Sequence, residues 1–141
     1  MTQVLNALPL PSMPEEWDDP AYRQATMEAT NENLIAWGIR LNREGRGLTR
    51  AQLAERMGTR KSTASKLEDS GRNDFLVSTL SKTAHALDMA LLIKFVDYAE
   101  FEAQTRDVRT DRLLACSYVQ SKALSSHSRG GRAGLHPAPS D

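Results

Sequence analysis

The residue types that could do chemistry are concentrated between residues 60 and 66. Six side chains in this stretch are basic or carry a hydroxyl group, and no acidic residue occurs before Glu68: Arg60, Lys61, Ser62, Thr63, Ser65 and Lys66. Arginine and lysine donate hydrogen bonds to guanine O6 and N7, and serine and threonine bond to base edges or phosphates. Because an ordinary solvated helix mixes charges of both signs, this stretch indicates a surface that contacts nucleic acid.

The distribution of charge supports the same interpretation. The chain has 141 residues and a formal net charge of zero. Residues 1–38 contain six acidic residues and one basic residue, whereas residues 39–72 contain nine basic and four acidic residues. A basic middle section is the pattern expected of a protein surface that contacts phosphates, and the whole-chain sum conceals it.

The sequence lacks the residue patterns that are typical of enzymes and of metal sites. The chain contains no phosphate-binding glycine loop, no GxSxG and no HExxH, and its three histidines and one cysteine are not spaced as metal ligands. We therefore expect no catalytic activity, no cofactor and no metal. The single cysteine, the absence of an apolar run of about 18 residues and the absence of a signal peptide predict a cytoplasmic protein that does not enter the membrane.

Two short helices joined by a glycine turn are predicted to position these side chains. Thr49 is suited to cap the first helix, and Gly58 ends it. Ala54, four residues before Gly58, has a small side chain, which allows the two helices to pack closely where they cross. The residues predicted to face inward are Leu53, Ala54, Met57, Ala64 and Leu67. This arrangement is typical of a helix-turn-helix, whose second helix can enter the major groove of DNA.

The flanking sequence predicts four regions. Residues 1–20 contain four prolines and form an irregular, acidic lead-in. Residues 21–88 form the helical DNA-binding domain, which opens with either one long helix or two short ones. Residues 89–116 contain a strand and a weakly amphipathic helix that serve dimerisation. Residues 117–141 are rich in serine, glycine and proline, and their composition predicts disorder.

The run MALLIKFV at residues 89–96 is β-branched and aromatic, which favours a strand. Its alternation directs Leu91, Ile93 and Phe95 towards the helical core, and Leu92 and Lys94 to the opposite side. The chain offers no second strand, so we expect antiparallel pairing with the same strand of a second copy. The predicted dimer interface consists of Leu91, Leu92, Ile93 and Phe95.

The stretches LTRAQLAERMGTRKSTASKLEDSG and STLSKTAHALDMALL resemble the Xre/Cro-type helix-turn-helix regulators, a family of bacterial and phage repressors and antitoxins. The resemblance covers residues 34–101. The following LLIKFVDYAEF is similar to a branch of the family in which a strand follows a five-helix domain. The resemblance implies that the chain has an all-α, lambda-repressor-like fold and binds duplex DNA sequence-specifically.

The resemblance also implies roles for individual residues. Bases are contacted from the second helix, by Lys61, Ser62, Ser65 and Lys66. The DNA backbone is contacted by Arg50, Arg60, Thr63 and Arg72; Arg50 stands where the family often has glutamine. The sequence departs from the family pattern at Thr59 and Ala64, which are smaller than usual, at Arg60, which replaces a capping Ser or Thr, and at Asn42, which occupies a usually apolar site.

Three functions remain open at this stage. The first is a repressor that binds a palindromic operator as a homodimer. The second is an antitoxin that also represses its own operon and covers a cognate toxin with its N-terminal segment or C-terminal tail. The third is a protein-interaction adaptor that does not bind DNA. A toxin gene next to this one would favour the second.

Overall fold

The structure, a computed structural model, describes residues 13–71, 74–107 and 109–130, and all regular elements in these ranges are helical. In chain order they are a 3-10 helix (Glu15–Asp18), α1 (Pro20–Gly45), α2 (Arg50–Met57), α3 (Lys61–Leu67), α4 (Val77–Ala86), α5 (Tyr98–Thr105), α6 (Thr110–Leu113) and α7 (Tyr118–Gly130). The predicted all-α class is confirmed for these residues.

Helix α1 is one continuous helix of 26 residues, which excludes the alternative of two short helices. Asp19 caps its first turn, with Oδ1 accepting a hydrogen bond from the Ala21 N–H at 3.0 Å, and Pro20 occupies the first helical position. The helix ends at Gly45. Gly47 then adopts a φ of +67°, a conformation that favours glycine, and turns the chain towards α2.

Helices α1 to α4 share one apolar core. Leu53 of α2 and Leu87, which follows α4, are completely buried. The other buried members are Ile39, Ala54, Met57, Ala64, Leu67, Leu80 and Ala86. All five residues that the helical spacing predicted to face inward belong to this cluster, so that prediction is confirmed.

The strand predicted at residues 89–96 is not present in the single chain, where residues 89–97 have no regular secondary structure. A strand is completed by hydrogen bonds to a neighbouring strand, and the described part of the chain supplies none. The expected burial was wrong: Leu91, Ile93 and Phe95 are exposed instead of lying on the helical core. In addition, four helices precede this segment and α5 follows it, which differs from the expected five helices before a strand.

An aromatic cluster joins the start of the described chain to α5. Trp17, in the 3-10 helix, is buried, and its ring centroid lies 5.6 Å from that of Tyr98 and 6.2 Å from that of Phe101. Arg23 Nη1 donates a hydrogen bond to the Trp17 carbonyl at 2.8 Å, and its guanidinium lies over the Tyr98 ring. Part of the lead-in therefore packs against the helix that follows residues 89–97.

A second long-range contact explains the polar residue at position 42. The Asn42 side chain, in a residue only 2% exposed, donates from Nδ2 to the Leu113 carbonyl at 2.7 Å and accepts at Oδ1 from the Ala115 N–H at 2.8 Å. Arg46 Nη2 donates to the Ala115 carbonyl at 3.0 Å. Residues 113–115, here called the strap, are thus held on α1 through their backbone.

We expect Asn42→Ala to destabilise the protein and release the strap. The substitution leaves the Leu113 carbonyl and the Ala115 N–H without their partner, and lost partners of this kind cost about 1–3 kcal/mol. Denaturant unfolding measures the loss, and amide exchange at Ala115 should accelerate. Asn31→Ala, an exposed site on the same helix, is the control and should leave both unchanged. Equal stability of the two variants would contradict the role assigned to Asn42.

The C-terminal region differs from the predicted disorder over residues 118–130, which form α7. A capping box begins this helix: Ser117 Oγ accepts from the Gln120 N–H at 3.2 Å, and Gln120 Oε1 accepts from the Ser117 N–H at 2.9 Å. The Tyr118 N–H also bonds to the Asp88 carbonyl at 3.0 Å. Residues 131–141 lie outside the described residues, as do residues 1–12 of the lead-in.

Candidate nucleic-acid interface

The turn between α2 and α3 is built as the sequence predicts. A capping box begins α2: Thr49 Oγ1 accepts from the Gln52 N–H at 3.1 Å, and Gln52 Oε1 accepts from the Thr49 N–H at 2.8 Å. At its other end Gly58 has a φ of +68°, and the Thr59 N–H donates to the Ala54 carbonyl at 2.9 Å. The left-handed glycine reverses the chain within three residues and brings α3 against α2.

Helix α3 places its apolar and polar side chains on different faces. Ala64 and Leu67 are buried against the core. Of the four predicted base-contacting residues, Lys61, Ser62 and Lys66 are exposed and Ser65 is partly buried. No acidic side chain lies within the helix, so its exposed face offers hydrogen-bond donors without a competing carboxylate.

The predicted backbone-contacting residues surround this face. Arg60 is exposed at the N-cap of α3, where its side chain makes no capping hydrogen bond, and Thr63 is partly buried. Arg50 is the first residue of α2, and its side chain is 45% exposed. Arg72 lies outside the described residues.

A buried ion-pair network connects Arg50 to the core, and sequence reasoning did not find it. Glu68, the C-cap residue of α3, has a side chain only 2% exposed. Its Oε1 accepts from Arg43 Nε at 2.9 Å, and its Oε2 accepts from Arg50 Nε at 2.7 Å. Arg43 also donates from Nη1 to the Leu48 carbonyl at 2.8 Å. One carboxylate therefore joins α1, α2 and α3.

Comparison with known proteins agrees with this geometry. Residues 39–92 match a family model described as helix-turn-helix, over somewhat more than a third of the chain. This segment is similar to the helix-turn-helix domains of Xre/Cro-type regulators. No curated protein and no solved structure matches the chain. The match indicates a DNA-binding transcriptional regulator, and α2 and α3 both lie within the matched residues.

The helix-turn-helix domain carries carboxylates at the edges of the candidate interface. Glu55 is exposed on α2, and Asp69 follows α3 and its C-cap residue Glu68, with Asp69 Oδ1 accepting from the Gly71 N–H at 3.1 Å. Asp69 thereby fixes the turn that leads out of α3. The basic side chains of the candidate interface are Lys61 and Lys66 on α3, Arg60 at its N-cap and Arg50 on α2.

The described residues contain no helix that is both long and apolar enough to cross a membrane. Nor does this part of the chain bring three or more histidine, cysteine, aspartate or glutamate side chains together as a metal site would. His85 is exposed on α4, and Cys116 is exposed after the strap.

Proposed function

We propose that this protein is a transcriptional repressor that binds a palindromic DNA operator as a homodimer. The observation that supports it most strongly is the exposed, carboxylate-free face of α3, which stands next to a tight glycine turn. A seven-residue helix presented in this way fits the major groove. In this proposal Lys61, Ser62, Ser65 and Lys66 contact base edges.

Phosphate contacts would surround the base contacts. Arg50, Arg60, Thr63 and Arg72 are assigned this role, because basic and hydroxyl groups at the edges of a recognition helix commonly bond to phosphate oxygens. Such contacts fix the register of the protein on the duplex and carry no sequence information of their own.

Dimerisation is proposed through residues 91–95. Leu91, Leu92, Ile93 and Phe95 are all exposed in the single chain, and together they offer roughly 500 Å² of apolar surface, near the upper end for a monomer. Complete burial of this surface in two copies would remove roughly 1,000 Å² from solvent, which is about the minimum for a specific interface. A two-fold dimer would present two copies of α3 to successive major grooves, about 34 Å apart.

One observation supports the antitoxin alternative. Helix α7 exposes Tyr118, Val119 and Leu124, so it offers apolar side chains that a partner protein could cover. Co-purification with the product of an adjacent small gene, and neutralisation of that product, would favour the antitoxin. A protein that represses without any such neighbour would favour the repressor.

Base contacts can be separated from phosphate contacts by mutation. We expect Lys61→Ala and Lys66→Ala to reduce discrimination between operator and random duplex by about 1–3 kcal/mol for each lost base contact. Arg72→Ala should weaken binding to both kinds of DNA alike. Competition binding measures this, once footprinting upstream of the gene has located the operator.

Lys82→Ala, which removes an exposed charge from α4, is the control and should change neither affinity nor specificity. If both α3 variants retained full specificity while Arg72→Ala abolished it, the assignment of α3 as the recognition helix would be wrong.

A further inference from the structure

The position of Arg50 is unfavourable for the helix that carries it. Arg50 is the first residue of α2, where the helix dipole disfavours a positive charge. A long, flexible side chain at an exposed position would also sample many rotamers. Here, however, Arg50 Nε donates a hydrogen bond to Glu68 Oε2 at 2.7 Å. This ion pair holds the guanidinium in one place.

Glu68 is itself held from the opposite side. Arg43, whose side chain is only 10% exposed, bonds to the other carboxylate oxygen at 2.9 Å and to the Leu48 carbonyl at 2.8 Å. A buried carboxylate requires a partner, and Arg43 supplies one from the core independently of Arg50. The second oxygen is then available to orient Arg50, which remains 45% exposed.

From this geometry we infer that Glu68 is a positioning residue for DNA binding: it holds Arg50 so that the remaining guanidinium donors meet a DNA phosphate. A guanidinium has five N–H donors, and the contact with Glu68 uses the one on Nε. The inference rests on the proposed function, since it requires that the domain binds DNA.

The inference predicts an effect opposite in sign to that of simple electrostatics. Removing a negative charge next to a polyanion should strengthen DNA binding. If Glu68 positions Arg50, Glu68→Gln should instead weaken it, because a phosphate contact is lost. At about 0.1 M salt a phosphate contact contributes about 0.9 log units, so the expected loss is about tenfold per protomer.

The test uses the full chain and a random-sequence DNA duplex. Affinity is measured at several salt concentrations for wild type, Glu68→Gln, Arg50→Ala and the double variant. We expect the slope of log affinity against log salt to fall by about 1 per protomer in each single variant. Adding Glu68→Gln to Arg50→Ala should produce no further loss. Glu55→Gln removes an exposed carboxylate from α2 and, as the matched control, should bind as tightly as wild type or more tightly.

Circular dichroism at the binding temperature separates folding from binding, since Glu68→Gln also deprives Arg43 of its partner. A second measurement needs no change at Glu68: the NMR signal of the Arg50 Nε–H, assigned by its loss in Arg50→Lys. In the wild-type complex with DNA this proton should stay protected from solvent exchange. A proton that exchanges freely in the complex would overturn the inference.

Two further results would overturn it. Either Glu68→Gln binds as tightly as Glu55→Gln, or it loses affinity equally in the Arg50→Ala background. In both cases wild-type binding that depends on salt would leave the proposed function intact. Failure of the wild type to bind duplex DNA at about 50 mM salt would instead reject the proposed function, and this inference with it.

Discussion

Phe95→Asp is expected to convert the protein into a monomer and to weaken operator binding by about a hundredfold to ten-thousandfold. Phe95 is fully exposed in the single chain, at 105% of the reference area of the residue. In the proposed dimer a carboxylate at this position would be buried without a partner. Loss of the second half-site contact removes the gain of two linked binding events, which accounts for the size of the effect.

A groove beside the same segment offers a place for the ring of the second copy. Its volume is about 440 Å³, and its apolar lining includes Leu34, Ile35, Leu80, Val96 and Phe101. Phe95 does not line this groove, although its neighbours Lys94 and Val96 do. A ring that protrudes next to an unfilled apolar groove favours a self-complementary, two-fold contact.

Sedimentation velocity and DNA titration test this prediction together. Val119→Asp places a carboxylate at another exposed apolar site, on α7, and should remain dimeric with wild-type affinity. Ile93→Pro asks whether the segment pairs as a strand, because proline removes a backbone donor that a strand ladder would use. A dimeric Ile93→Pro beside a monomeric Phe95→Asp would indicate that side chains alone form the interface.

A wild-type protein that is monomeric at micromolar concentration would refute the interface altogether. If Phe95→Asp remained dimeric, the dimer interface would have to lie on another surface, such as α1 or residues 98–116.

Local signals in the sequence were sufficient to predict the helix-turn-helix motif. The cap at Thr49, the glycine at position 58 and the inward spacing of Leu53 and Ala64 each act within a few residues, so the helix pair could be predicted. The same kind of signal was present at Ser117 and Gln120, where a capping box begins α7. It was missed because the composition of the region was given more weight than this local pattern.

Contacts between distant residues left no comparable signal. Asn42 and Leu113 are 71 positions apart, and nothing near either residue indicates the other. Glu68 could be recognised only as the first acidic residue after a donor-rich stretch. Its pairing with Arg43, 25 positions away, depends on the packing of three helices. The prediction of a strand at residues 89–96 was wrong for a related reason. The alternation of side chains is a property of one segment, whereas a sheet requires two paired segments.

DNA binding is expected to weaken about a thousandfold when the salt concentration rises from about 50 to 200 mM. Three basic side chains in each protomer are assigned to phosphates: Arg50, Arg60 and Arg72. If each neutralises one phosphate, a dimer makes about six contacts and releases the corresponding counterions. The slope of log affinity against log salt should then be about −5.

The magnitude of this slope distinguishes a defined DNA interface from weak attraction to a basic surface, because it counts contacts. Fluorescence anisotropy with a labelled duplex at several salt concentrations gives the slope directly. Arg60→Ala should make it shallower by about 1 per protomer, whereas Lys122→Ala on α7 should leave it unchanged. If affinity were constant over the range, the recognition helix would not be held on the duplex by phosphate contacts, and the charge pattern of residues 39–72 would need another explanation. An equal change in slope for both variants would show instead that DNA attraction is spread over the whole surface and is not concentrated at α3.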